Sequence, residues 1–175
     1  MGLSQLIGMI AMKILFTTDG SPCSETAFQH LLNDGSLPPD TQFKVLSVVE
    51  AIVGAYPVAE FYIDSMVEAE AALKEERKKL VAGLVARLKE KLPAAEVDGA
   101  VSIGFPADRI LNEARCWGAD LIVLGSHARK GLSHFILGSV AERVAREAEC
   151  SVEIIRIQNV ASKKATAKKV VASAK

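Results

Sequence analysis

The residues best equipped for chemistry are concentrated in one run, LGSHARKGLSHFILGSV, residues 124–140. It holds Gly125, Gly131 and Gly138, His127 and His134, three serines, and the Arg129-Lys130 pair. The chemistry such a run suits is anion binding. Gly138-Ser139 stands where a helix would open, and a helix N-terminus offers unpaired N–H groups at the positive end of the dipole. The Ser139 hydroxyl and the Arg129 and Lys130 charges would add to it. The spacing matches neither a G-x-x-x-x-G-K-[ST] phosphate loop nor a G-x-G-x-x-G fingerprint. Two histidines without a carboxylate at ligand spacing do not make a zinc site. From these residues alone, a phosphate cradle and a plain long connection both remain open.

Two shorter runs raise the same choice. In TTDGSPCSE, Asp19 could accept hydrogen bonds from a ligand hydroxyl or help hold a metal. Equally, Asp, Gly, Ser and Pro are turn residues, and Ser21 or Ser24 can cap the next helix. In GFPADRI, Gly104 and Pro106 read first as a turn into a helix, although Gly104 would also let a ligand approach the backbone. Cys23, Cys116 and Cys150 lie in no C-x-x-C spacing, and no Ser-His-Asp or Cys-His set is apparent.

The elements that must position these residues follow from hydrophobic pattern. Strand-like runs cover residues 12–18, 43–49, 97–103, 120–125 and 152–157. The second, fourth and fifth are almost continuously apolar, as strands buried on both faces of a parallel sheet are. Helical patterns cover 24–33, with Ala27, Leu31 and Leu32 on one face, and 61–92, with Met66, Ala69, Leu73, Leu80, Leu84 and Leu88. Two more cover 106–118, from a proline to a glycine, and 138–150, with Val140, Val144 and Ala148. Strict β-α alternation predicts an α/β fold with a parallel sheet between helices. Ligands in such sheets bind beyond the carboxyl ends of the strands, where strand order reverses. The residues to inspect are therefore 17–19, 48–50, 103–106 and 125 onward.

Composition narrows the function classes. The chain has 175 residues, half of them hydrophobic, and 21 basic against 21 acidic residues. Five lysines and no acid fall in residues 159–175. Subtracting them leaves 16 basic against 21 acidic residues for the body, which argues against a broad nucleic-acid surface. The tail is expected to be solvated and disordered, with at most weak electrostatic contact to nucleic acid or other anionic partners. Residues 1–11 read as an extension, or as an apolar arm docking on the body or a partner. No basic residue precedes their apolar run, and Leu6 stands where a myristoylation signal needs Ser or Thr. With an odd cysteine count and no apolar run long enough to span a membrane, a cytoplasmic setting is expected.

Over residues 12–156 the chain resembles the universal stress proteins. The resemblance rests on KILFTTDGS, on GFP followed by ADRIL, and on WGADLIVLGSHARKGLSHFILGSVAERVAREAECSVEIIR. The family's ATP-binding branch carries Gly-x2-Gly-x9-Gly-Ser/Thr. Here that becomes Gly125-x2-Ala128-x9-Gly138-Ser139, with alanine at the middle glycine. If that position needs a left-handed backbone, alanine costs about 1–2 kcal/mol; if it needs close approach to phosphate, the methyl group is the obstacle.

The resemblance implies a single domain over residues 12–158. Its fold would be a five-stranded parallel open sheet, order 3-2-1-4-5, with helices on both faces, of the Rossmann-like, adenine nucleotide alpha hydrolase-like class. It implies a homodimer paired through residues 152–157, and ATP or AMP as a regulatory ligand in stress response, with Mg as a possible companion. Carried over, Thr17, Thr18 and Asp19 lie near ribose and adenine, and Val48 packs on or bonds the adenine. Gly125, Ala128 and Arg129 line the phosphate loop, and Gly138, Ser139 and Val140 bind phosphates. Gly104 joins this set as a point of close approach. With no evident base or Walker lysine, at most slow hydrolysis or autophosphorylation is expected. The competing reading is a dimeric interaction module of the same fold that binds no nucleotide.

Overall fold

The computed structural model describes residues 11–51, 63–126, 137–156 and 171–172. The elements run β1 (Lys13–Thr18), α1 (Pro22–Leu32), β2 (Gln42–Val49), α2 (Ile63–Lys91), β3 (Glu96–Ile103), α3 (Pro106–Trp117), β4 (Leu121–Ser126), α4 (Ser139–Glu147), β5 (Ser151–Arg156) and β6 (Val171–Ala172). The first five strands are parallel, in the expected order β3-β2-β1-β4-β5. The chain walks outward from β1 to β3, then crosses back to β4. Strand order therefore reverses between β1 and β4.

Alternation along the central strands divides the core in two. Ile14 and Phe16, with Phe43, Val45, Val123 and Ile155, face α1 and α2. Leu15, Leu46, Ile122, Leu124, Val152 and Ile154 face α3 and α4. Phe16 and Phe28 are fully buried, with ring centroids 5.3 Å apart in a tilted pair. Burial of each such side chain stabilises by about 1.5–3 kcal/mol.

The helices largely follow the pattern. On α1 the inward residues are Ser24, Ala27, Phe28 and Leu31, whereas Leu32 is only half-buried. On α2 the C-terminal half supplies the packing, through Val81, Leu84 and Leu88. Ala69, expected on that face, is exposed, and Leu73 lies at a cleft instead. Gly118 closes α3 in the left-handed region, at φ 71° and ψ 49°. α4 starts at Ser139 with Gly138 as its N-cap and ends at Glu147, with Ala148 already extended.

The two ends of the sheet differ. At the amino ends of the strands, two ammonium groups approach the Trp117 ring, Lys13 Nζ at 5.6 Å and Lys44 Nζ at 5.0 Å from its centroid. Lys44 also pairs with Glu113 at 2.8 Å.

The tail contributes one element that composition did not indicate. Residues 171–172, inside the segment expected to be disordered, form β6. It pairs antiparallel with β5, Ala172 opposite Val152 and Val171 opposite Glu153. The sheet thus gains a sixth strand on the edge to which the resemblance assigned dimer pairing. Of the described β5 residues, Val152 and Glu153 are the ones β6 pairs with. An unpaired edge templates pairing with another chain. A chain ending at residue 158 is therefore expected to show a larger dimer fraction in sedimentation velocity than the full chain at equal concentration. Identical distributions would show that β6 does not restrict the edge.

Candidate functional site

A cleft of about 470 Å3 opens at the carboxyl ends of β1, β2 and β4, over the point where strand order reverses. Most of the expected site residues converge there: Thr17, Thr18, Asp19, Val48, Gly125, Gly138, Ser139 and Val140. Ala128 and Arg129 lie outside the described residues.

One wall is the turn from β1 into α1, held by a directional chain of hydrogen bonds. The Gly20 N–H donates to Thr18 Oγ1 at 3.1 Å, Thr18 Oγ1 to Ser24 Oγ at 3.0 Å, and Ser24 Oγ to the Ser21 carbonyl at 2.9 Å. Thr18 and Ser24 are buried, so their hydroxyls build the turn. Ser21 caps α1, its hydroxyl accepting from the Ser24 N–H at 3.2 Å. Asp19 accepts from the Ser21 N–H at 3.0 Å. Burial pushes the Asp19 pKa up, but hydrogen bonds from Ser21 and Ser24 outweigh it and hold the carboxyl below its ordinary range. Asp19 is therefore an anion at neutral pH, and Glu50 lines the same cleft.

The opposite wall is the start of α4. Helix geometry leaves the N–H groups of Ser139, Val140 and Ala141 without a carbonyl four residues back. Gly138 has no side chain to accept them, and all three residues line the cleft. The Gly138 N–H donates to Ser126 Oγ at 3.2 Å. Ser126 is buried at the end of β4, so this bond joins both ends of the 127–136 connection. Ser126 is not among the site residues expected from the sequence, because its partner Gly138 is 12 residues away and only the fold brings the two together.

Gly125 has a structural reason to be glycine. A Cβ there would stand 2.5 Å from the Cys23 carbonyl carbon and oxygen and 2.6 Å from the Ser24 nitrogen. The end of β4 thus lies directly against the first turn of α1, backbone to backbone. Gly104 is not among the cleft residues. Its φ of +143° and the Arg109 side chain, 2.6 Å from a Cβ placed there, account for glycine at that position. Its neighbour Pro106 reaches the cleft instead.

Arg77 was also missed. It sits on α2, one turn beyond Leu73, and both line the cleft. Its Nη1 donates to the Asp19 carbonyl. Nothing within the local sequence links positions 19 and 77; only the packing of α2 over the turn joins them.

The cleft lies at the switch point of a parallel α/β sheet, the place where such sheets take small ligands, with carboxylates on one side and a helix N-terminus on the other. Residues 11–156 match the sequence profile of the "Universal stress protein family", and the chain belongs to that family. It is 31% identical over 154 residues to universal stress protein YxiE of Bacillus subtilis, covering 82% of this chain and 98% of that one. A universal stress protein of Mycolicibacterium smegmatis is 30% identical over 145 residues, 83% of this chain but 46% of its own length. Among solved structures, protein MJ0577 superposes with a TM-score of 0.69 at 26% identity, over 84% of this chain and 96% of that one; MJ0577 is a universal stress protein of Methanocaldococcus jannaschii. Two further structures share the fold. One is a universal stress protein family member from Arabidopsis thaliana with AMP bound, at TM-score 0.57 and 20% identity, covering 85% of this chain and 93% of that one. The other is a universal stress protein in complex with cAMP, at TM-score 0.53 and 19% identity, covering 83% and 97%.

Two outcomes follow from this geometry. Gly125→Ala forces backbone apart and is expected to destabilise the fold by about 1–3 kcal/mol in denaturant unfolding. Gly35→Ala, with open space around its position, serves as the neutral control. Equal midpoints for the two variants would contradict the close approach. For Asp19, a lowered folded-state pKa means its contribution is complete above about pH 4 and is lost as pH falls through the folded value. Asp19→Asn is therefore expected to cost stability at pH 7 and progressively less under acid, read as thermal midpoints across pH. A difference independent of pH would contradict that linkage.

Proposed function

We propose that this chain binds an adenine nucleotide, ATP or AMP, in the switch-point cleft and uses it as a regulatory ligand. The observation that carries this reading is the polarity of the cleft. The amides of Ser139, Val140 and Ala141 suit a phosphate, while the Asp19 carboxylate, ionised and aimed from the end of β1, suits the hydroxyl and amino donors of a nucleoside. Val48, Leu46 and Ile110 supply apolar lining between them. The AMP and cAMP bound by two relatives of the same fold support the same ligand class.

The residues present fit a nucleotide without a dedicated metal cage. Among the described residues, no group of three or more histidine, cysteine or acidic side chains is placed to hold a metal. A magnesium ion accompanying ATP would be held through the phosphates and its own waters. Pairing of two copies along the β5 edge belongs to the same proposal, with β6 sharing or yielding that edge.

The test is to denature purified protein and look for released nucleotide, then to titrate ATP and AMP calorimetrically into wild type, Ser139→Ala and Ser126→Ala. Wild type is expected to bind at millimolar affinity or better. Loss of the Ser139 hydroxyl is expected to weaken binding several-fold, by about the 0.5–1.5 kcal/mol of one hydrogen bond. Ser126→Ala, which frees the Gly138 amide, is expected to weaken it as well. Absence of bound nucleotide together with no measurable affinity would reject nucleotide binding and leave the interaction module as the function.

A further inference from the structure

We propose that Arg77 is the residue that gives the cleft its preference for phosphorylated ligands, a role that rests on the nucleotide reading above. Among the described residues lining the cleft, Arg77 is the basic one, set against Asp19 and Glu50. It makes no ion pair with a described residue. Its Nη1 donates to a neutral carbonyl, that of Asp19. Its Nε is buried and has no hydrogen-bond partner among the described residues. The guanidinium therefore brings to the cleft a positive charge that no described carboxylate pairs.

The surroundings fix where the guanidinium sits. Gly20, at φ +76°, passes beneath it, and a Cβ there would stand 2.7 Å from Arg77 Nη1 and 3.2 Å from Leu80 Cδ2. The left-handed turn and the missing side chain together let the loop tuck under α2. Arg77 is thus held at the cleft by packing of the turn, one helical turn beyond Leu73. An anionic ligand oxygen reaching the solvent-accessible part of the guanidinium from the cleft would gain a charge-assisted hydrogen bond. A lysine would supply the charge but not the planar fork.

The experiment measures adenosine, AMP and ATP binding to wild type, Arg77→Gln and Arg77→Lys by calorimetry, at low and high salt. The loss of affinity in Arg77→Gln is expected to be about tenfold larger for AMP and ATP than for adenosine, whose acceptor Asp19 the same side chain holds. Its AMP affinity should also respond less to salt than that of wild type, as removal of a binding charge requires. Arg77→Lys should fall between the two. An equal loss for adenosine would overturn the proposal and make Arg77 a support for the Asp19 turn. No loss for any ligand would overturn it as well. If wild type binds none of the three, the nucleotide reading fails, and this proposal with it; binding by wild type with an unaffected variant rejects Arg77 alone.

Discussion

The end of β4 runs against the first turn of α1 so closely that residue 125 has no room for a side chain. That contact determines where Ser126 stands. Ser126 in turn holds the Gly138 amide and with it the start of α4. On the other side of the contact, the same first turn of α1 anchors the hydrogen-bond chain through Ser24, Thr18 and Gly20. Both walls of the cleft are therefore referenced to one backbone-to-backbone crossing between β4 and α1.

Topology explains why the crossing occurs there. β1 is central, with β2 on one side and β4 on the other, and the chain leaves the two strands toward opposite faces of the sheet. The gap above β1 and β4 is consequently not bridged by a crossover helix. Polar groups at strand ends and helix starts collect in that gap. At the amino ends of the strands, away from the site, the Trp117 ring takes the ammonium groups of Lys13 and Lys44.

Much of this was legible in the residues. Near-continuous Val, Ile and Leu marked the buried strands, and a glycine-serine pair after a long polar run marked the α4 start. What escaped detection depended on distance or on composition. Arg77 lies 58 residues from the carbonyl it contacts. β6 is a two-residue pairing inside an Ala/Lys tail, with no alternation to reveal it. From the sequence, Gly125 and Gly104 are expected beside a ligand. The first is glycine because α1 is near, and the second because its φ and Arg109 require it. Identical residue types at a strand end serve packing and binding alike, and only the neighbours separate the two.

The central claim is that the first turn of α4 and the end of β1 face one ligand across this cleft. Amide chemical-shift mapping during an AMP titration tests it most directly. The account predicts that the Ser139, Val140 and Ala141 amides shift together with those of Asp19 and Gly20, all with one saturation curve, while the Gly118 and Trp117 amides at the far end stay put. Shifts confined to the far end, or none at ligand concentrations well into the millimolar range, would contradict it.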